Sequence, residues 1–133
     1  MKIKTAELTG AALNWAVAKC EGYDYAIVDG AVLTGETRYE AETADDTYGC
    51  ESDEVYEPST DWSQGGPIIE REGISVAYID DNIADGAWFS STVGGDENAE
   101  GPTPLIAAMR CYVASKLGDE VEILPELVQS NPI

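Results

Sequence analysis

Two stretches of this chain hold the residue types that bind a small ligand. Thr60-Asp61-Trp62-Ser63-Gln64-Gly65-Gly66 sets a tryptophan among short polar and turn-forming residues. An indole in that setting is either a lid over the core or a platform on which an aromatic ligand stacks. Gly101-Pro102-Thr103 precedes a strong helical pattern. A helix amino end offers unpaired N–H groups and a positive dipole end, which together attract an anion such as phosphate. The plainer role for Thr103 is to cap that helix with its own hydroxyl. Arg110 follows two turns later on the same side, where it either meets an anion or pairs with one of the many acids. If the two stretches meet in space, Trp62, Gln64, Thr103 and Arg110 frame a pocket for a stacked, anionic ligand. Thr60, Asp61, Gly65 and Gly66 complete the expected ligand-binding set.

Other chemistry is narrowed by what the chain lacks. It has no histidine, which removes Ser-His-Asp and Cys-His catalysis and imidazole metal sites. Cys20, Cys50 and Cys111 are too few and too scattered for a structural zinc site. Their odd number, and a start that does not read as a signal peptide, predict reduced thiols in a cytoplasmic protein. The run Asp81-Asn82-Ile83-Ala84-Asp85-Gly86 fails as a calcium loop, since Ile83 and Thr92 stand where oxygen ligands are needed. Gly65-Gly66 and Gly94-Gly95 are lone pairs, which mean turns and not a phosphate loop. No cofactor is expected. With no pair of carboxylates singled out as acid and base, a carboxylate-dependent enzyme ranks behind the binding readings.

Net charge is −19, from 26 acids and 7 bases. That opposes direct binding to nucleic acid or an anionic membrane, both of which need clustered Lys and Arg. It fits a solvated surface, or an acidic inhibitor that mimics the phosphates of DNA and occupies a host nucleic-acid-binding or defence protein. No apolar run approaches the ~20 residues of a membrane span.

At 133 residues with 44% hydrophobic content the chain is one domain, 1–133. Lys2 to Glu7 reads as a strand. Thr9 would then cap a helix from Gly10 to Cys20 that buries Leu13, Ala16, Val17 and Cys20 and turns Trp15 elsewhere. Tyr25 to Val28 and Ala31 to Leu33 flank Asp29-Gly30, a hairpin signal. The segment 36–57 is acidic and reads as an exposed loop or irregular hairpin. Pro67 starts a short helix ending at Gly73. Ile74 to Ile79 and Ala87 to Val93 alternate as antiparallel partners, and 94–101 is a loop. Thr103, Pro104, Lys116 and Gly118 bound a helix whose Leu105, Met109, Tyr112, Val113 and Leu117 share one face. Glu120 to Ile123 adds a last strand, with a tail from about 125. The expected class is α+β: two main helices on a small, mostly antiparallel sheet.

Three long strings carry a resemblance. They are 4–18, with Leu13-Asn14-Trp15-Ala16-Val17; 59–74, with Ser59-Thr60-Asp61-Trp62-Ser63-Gln64-Gly65-Gly66-Pro67; and 101–121, with Gly101-Pro102-Thr103-Pro104-Leu105-Ile106-Ala107-Ala108-Met109-Arg110. Covering about two fifths of the chain, they resemble the NinX-like proteins of tailed phages and prophages, a family of unknown function. The resemblance implies an accessory protein at work in the cytoplasm of an infected bacterium, and supplies no catalytic residues. The preferred expectation is a non-catalytic, counter-defence binding protein that captures a small nucleotide-like anion. A host protein is the alternative partner, and assembly of identical chains is left open.

Overall fold

The computed structural model describes residues 2–23, 25–28, 31–34, 54–79, 88–95, 97–125 and 127. In chain order these give β1 (Lys2–Lys4), a 3-10 turn (Thr5–Glu7), α1 (Gly10–Glu21), β2 (Tyr25–Val28), β3 (Ala31–Thr34) and β4 (Glu54–Val55). Then come α2 (Trp62–Glu72), β5 (Ser75–Tyr78), β6 (Trp88–Ser91), a second 3-10 turn (Val93–Gly95), β7 (Asn98–Gly101), α3 (Pro104–Leu117) and β8 (Glu120–Glu122). The α+β class holds, with two corrections among the described residues. The two main helices and the short third one are present, but the third, α2, starts at Trp62 and not at Pro67. The strands form three small antiparallel sheets, β1-β8, β2-β3-β4 and β5-β6-β7, where one was expected. Asp29-Gly30, the turn after Tyr78 and most of the acidic segment fall outside the described residues.

α3 sits at the centre. Thr103 caps it as expected, its hydroxyl accepting from Ile106 N–H at 3.1 Å, and Pro104 begins it. Leu105 and all of 107–113 are buried, so no face of its middle turns reaches solvent. α1 is similar, with 12–18 buried. Trp15, expected to point away from the core, is therefore inside it at 1% exposure. Its ring meets the edge of Tyr25 and lies under the Lys19 ammonium.

α2 begins five residues before Pro67. Asp61 supplies the start by accepting from the backbone of Ser63. Pro67 is tolerated inside α2 because the carbonyl it deprives of a donor belongs to the exposed Ser63. Gly65 lets α2 lie against its neighbours: a Cβ there would overlap the Pro58 carbonyl oxygen and come within 2.9 Å of Leu105 Cδ1. β7, expected as loop, has weak strand formers. It pairs with β6 from Trp88↔Gly101 to Ser91↔Asn98, and Ala99 and Gly101 face inward, buried.

A polar clasp joins the three helices at their far ends. Arg71 of α2 donates both Nη groups to Glu21 of α1, at 3.1 and 2.7 Å. It also donates to Glu72 and to the Tyr112 hydroxyl of α3, which in turn donates to Glu21. Burial alone would raise the Glu21 pKa, but the hydrogen bonds from Arg71 and Tyr112 outweigh it and hold the carboxyl below its usual value. Burial and the Glu21 carboxylate raise the Tyr112 phenol, which stays a donor.

Two outcomes follow. Gly65→Ala lowers stability by about 1–3 kcal/mol. Gly66→Ala, whose nearest obstacle is Trp62 at 3.8 Å, raises it by up to about 1 kcal/mol; urea midpoints of both variants check the pair. Because the Glu21 pKa is lowered on folding, its stabilisation is present above the unfolded value of about 4.3 and lost as pH falls through the lower folded value. Glu21→Gln is therefore less stable than the parent at pH 7, and the gap narrows at pH 3.

Candidate functional site

The expected site residues fall into two groups. At the start of α2, Asp61 Oδ1 accepts from Ser63 N–H at 2.9 Å and from Ser63 Oγ at 2.7 Å, and these bonds lower its pKa. Gln64 ties α2 to β4: its Oε1 accepts from Glu57 N–H at 2.6 Å and its Nε2 donates to Val55 O at 3.0 Å. Trp62 is 55% exposed and lies along α2 towards Gly66. Thr60 is exposed beside Asp61. The contact of Gly65 with Leu105 brings this region onto the first turn of α3, so the two stretches do meet.

Arg110 is not part of that meeting. It is 8% exposed and works inside the fold, with Nε donating to Leu8 O and Nη1 to Glu100 O, both at 2.8 Å. Those bonds bind the segment before α1 and strand β7 to α3. Its side chain forms part of a cleft of about 650 Å³ with Lys4, Thr5, Asn98, Asp119 and Glu120. In that cleft the two cations are offset by acids.

A second cavity, of about 380 Å³, opens at the amino end of α1. Thr9, Gly10, Ala11 and Asn14 form one wall; Ser59, Thr60 and Tyr56 face them, and Val32, Val55 and Ile106 add apolar surface. Of the expected residues Thr60 lines it, whereas Trp62, Thr103 and Arg110 line neither this cavity at α1 nor, Arg110 apart, the larger cleft. Thr9 has the extended backbone of a cap, but its side chain makes no capping hydrogen bond.

Asn14 and Ser59 were missed in the sequence. Asn14 is 8% exposed, and its Oδ1 accepts from Ser59 N–H at 3.0 Å and Ser59 Oγ at 2.8 Å. Its available signal was a polar residue one position along from the apolar Leu13, inside a helix with no polar face. Burial raises the Tyr56 phenol, so it stays protonated. Burial also pushes the Cys20 thiol up to about 12 and the Cys111 thiol up to about 11, so neither is a nucleophile near neutral pH. Among the described residues, no group of three or more Cys, Asp or Glu is placed to hold a metal ion.

Arg110→Ala leaves two inward carbonyls without donors and is expected to cost roughly 2–5 kcal/mol, with Arg110→Lys intermediate. Urea unfolding of ligand-free protein measures this, and it separates the structural part of any binding defect in that variant.

No helix among the described residues is long and apolar enough to cross a membrane. No curated protein matches the chain. The family described as Bacteriophage P22, NinX matches residues 4–116. That span holds all three helices up to the last turn of α3, the clasp and both cavities' main walls. The chain belongs to the phage P22 NinX family.

Proposed function

We propose that this phage protein is a non-catalytic binding protein that captures a small, nucleotide-like anion in the infected bacterial cell, in the service of counter-defence. The observation that carries this reading is the convergence on the cavity at α1. The three strings of sequence that resemble the family each place residues on it: Gly10 and Asn14 from the first, Ser59 and Thr60 from the second, Ile106 from the third. The strings pack on one another beside it, Asn14 on Ser59 and Gly65 on Leu105, and leave a concave opening at their junction. Its volume of about 380 Å³ falls within the roughly 300–1,000 Å³ of small-molecule sites. Its mix of apolar wall and a few converging polar groups suits a flat, polar ligand. The thiols and carboxylates described above offer no nucleophile or paired acid and base, which favours capture over turnover.

Mass spectrometry of the protein purified from its bacterial host, first native and then denatured, tests this. The expected result is a small mass that is present in the native state and lost on denaturation, with the absorbance of a base. A bare protein that instead takes a host protein from lysate at low salt, and releases it at high salt, would replace this reading with the acidic inhibitor.

A further inference from the structure

We infer that the outer edge of β5 is a docking site for an extended, positively charged segment of a host protein, which adds to the β5-β6-β7 sheet as a fourth strand. This surface is separate from the cavity at α1, none of whose lining residues lies on β5. β5 is an end strand and pairs with β6 on one side. In an antiparallel pair, successive residues turn their N–H and C=O groups alternately towards the partner strand and away from it. Of the 4 residues of β5, Ser75-Val76-Ala77-Tyr78, every second one therefore offers its backbone groups to the open side. Among the described residues, no backbone group of β5 is bonded beyond β6. Ser75, Ala77 and Tyr78 are exposed, Tyr78 at 56%.

Other edges in this fold are guarded in the ways that keep strands from pairing with strangers. Gln64 closes β4 as a neighbouring strand would, its side-chain amide accepting from Glu57 N–H and donating to Val55 O. On β7 the Arg110 guanidinium donates to Glu100 O. β1 carries Lys2 and Lys4. β5 has no charged residue and no proline, and it pairs with β6 residue for residue, without a bulge.

An open edge accepts any strand, and charge decides which one comes. The chain carries −19. Glu70 and Glu72 lead into β5, and Asp80-Asp81 follow Ile79 in sequence. The Arg71 between the two glutamates is already engaged by Glu21 and Glu72. A second copy laid antiparallel along β5 would set the acidic end of each strand beside the acidic end of the other, and the two molecules repel as wholes. A segment with Lys or Arg on both sides of an uncharged centre is attracted at both ends. The backbone of β5 fixes its register, and side chains set the preference. The Tyr78 ring stands edge to face with Trp88, 5.2 Å between ring centres, and the cross-strand neighbour that suits it is β-branched or aromatic.

The test uses the full-length protein and a dye-labelled peptide, Lys-Lys-Thr-Val-Thr-Val-Thr-Lys-Lys, as the probe. Fluorescence anisotropy is expected to show binding that weakens at least about tenfold between about 50 and about 500 mM salt. Proline at the central position of the peptide removes a ladder donor and is expected to abolish binding. Glutamate in place of the four lysines is expected to weaken it at least about tenfold. Amide hydrogen exchange read by NMR is expected to slow at least about tenfold within Ser75–Tyr78 when the lysine peptide is bound, and to stay unchanged in α1. Ala77→Lys puts a guarding cation on the edge and is expected to weaken the peptide while leaving the urea midpoint near that of the parent. Peptide binding without slowed exchange in β5 would overturn the assignment, as would a glutamate peptide that binds as well as the lysine one. No binding at about 1 mM peptide would also overturn it. A protein that sediments as a dimer at low salt, with β5 protected in that dimer, would put a second copy in place of the host segment.

Discussion

The fold depends on one constraint: the middle of α3 has no face for water. With Leu105 and 107–113 all buried, most other elements cover a sector of this helix, while the β2-β3-β4 sheet packs on α1. α1 covers one side, α2 another through Gly65 on Leu105, and β6 and β7 a third, with Ala99 and Ser90 turned inward. This explains why the sheets are small and separate. A single broad sheet covers one side of a helix, while two short sheets and two helices can surround it. It also explains the glycines at the contacts, because a backbone that must approach a buried helix closely leaves no room for a Cβ. Gly101 against Ala107 is a second case, with a Cβ falling 2.8 Å from Ala107 N.

A helix hidden in this way can hold charge only if the protein answers it. Arg110 is answered by the carbonyls of Leu8 and Glu100, which makes it a tie between chain segments far apart in sequence. Glu21, Arg71 and Tyr112 answer one another where the three helices reach the surface. Among the described residues, two buried side-chain atoms have no such answer, the Trp15 indole nitrogen and the Ser90 hydroxyl. Each is worth about 1–3 kcal/mol of lost hydration, a cost that the packing around α3 carries. The polar groups of the core therefore differ in kind: some are tolerated, and some tie elements together, as Asn14 does through its oxygen to Ser59.

How much of this was legible follows from which forces are local. The ends of α3 were, because Thr103 and Pro104 act within one turn of themselves. So were the pairings of β2 with β3 and of β5 with β6, where β-branched and aromatic residues lie in adjacent runs. β7 was not, because Asn98-Ala99-Glu100-Gly101 is a strand only by virtue of its neighbours. The start of α2 was hidden by Pro67, whose first-turn preference suggested a later start while Asp61 was already capping. The orientation of Trp15 was lost because wheel arguments assume a helix with a wet side, and α1 has almost none. Arg110 was noticed for its charge and its rarity, which were sound reasons, but its carbonyl partners lie 102 and 10 residues away and leave no local trace.

The same distinction decides where a ligand can go. A helix amino end attracts an anion only while its own N–H groups are unclaimed, so residues that look most like a site in sequence are often those that have already closed it. Asp61 and Thr103 are strong caps, and each consumes the amides that made its helix attractive. Gln64 is likewise spent on Glu57 and Val55. At α1 the cap position Thr9 has an extended backbone without a side-chain cap bond, and the nearby Asn14 spends its oxygen on Ser59. A strong capping sequence argues against an anion at that helix end, which is why Asp61 and Thr103 look like a site in sequence and act as caps in the fold.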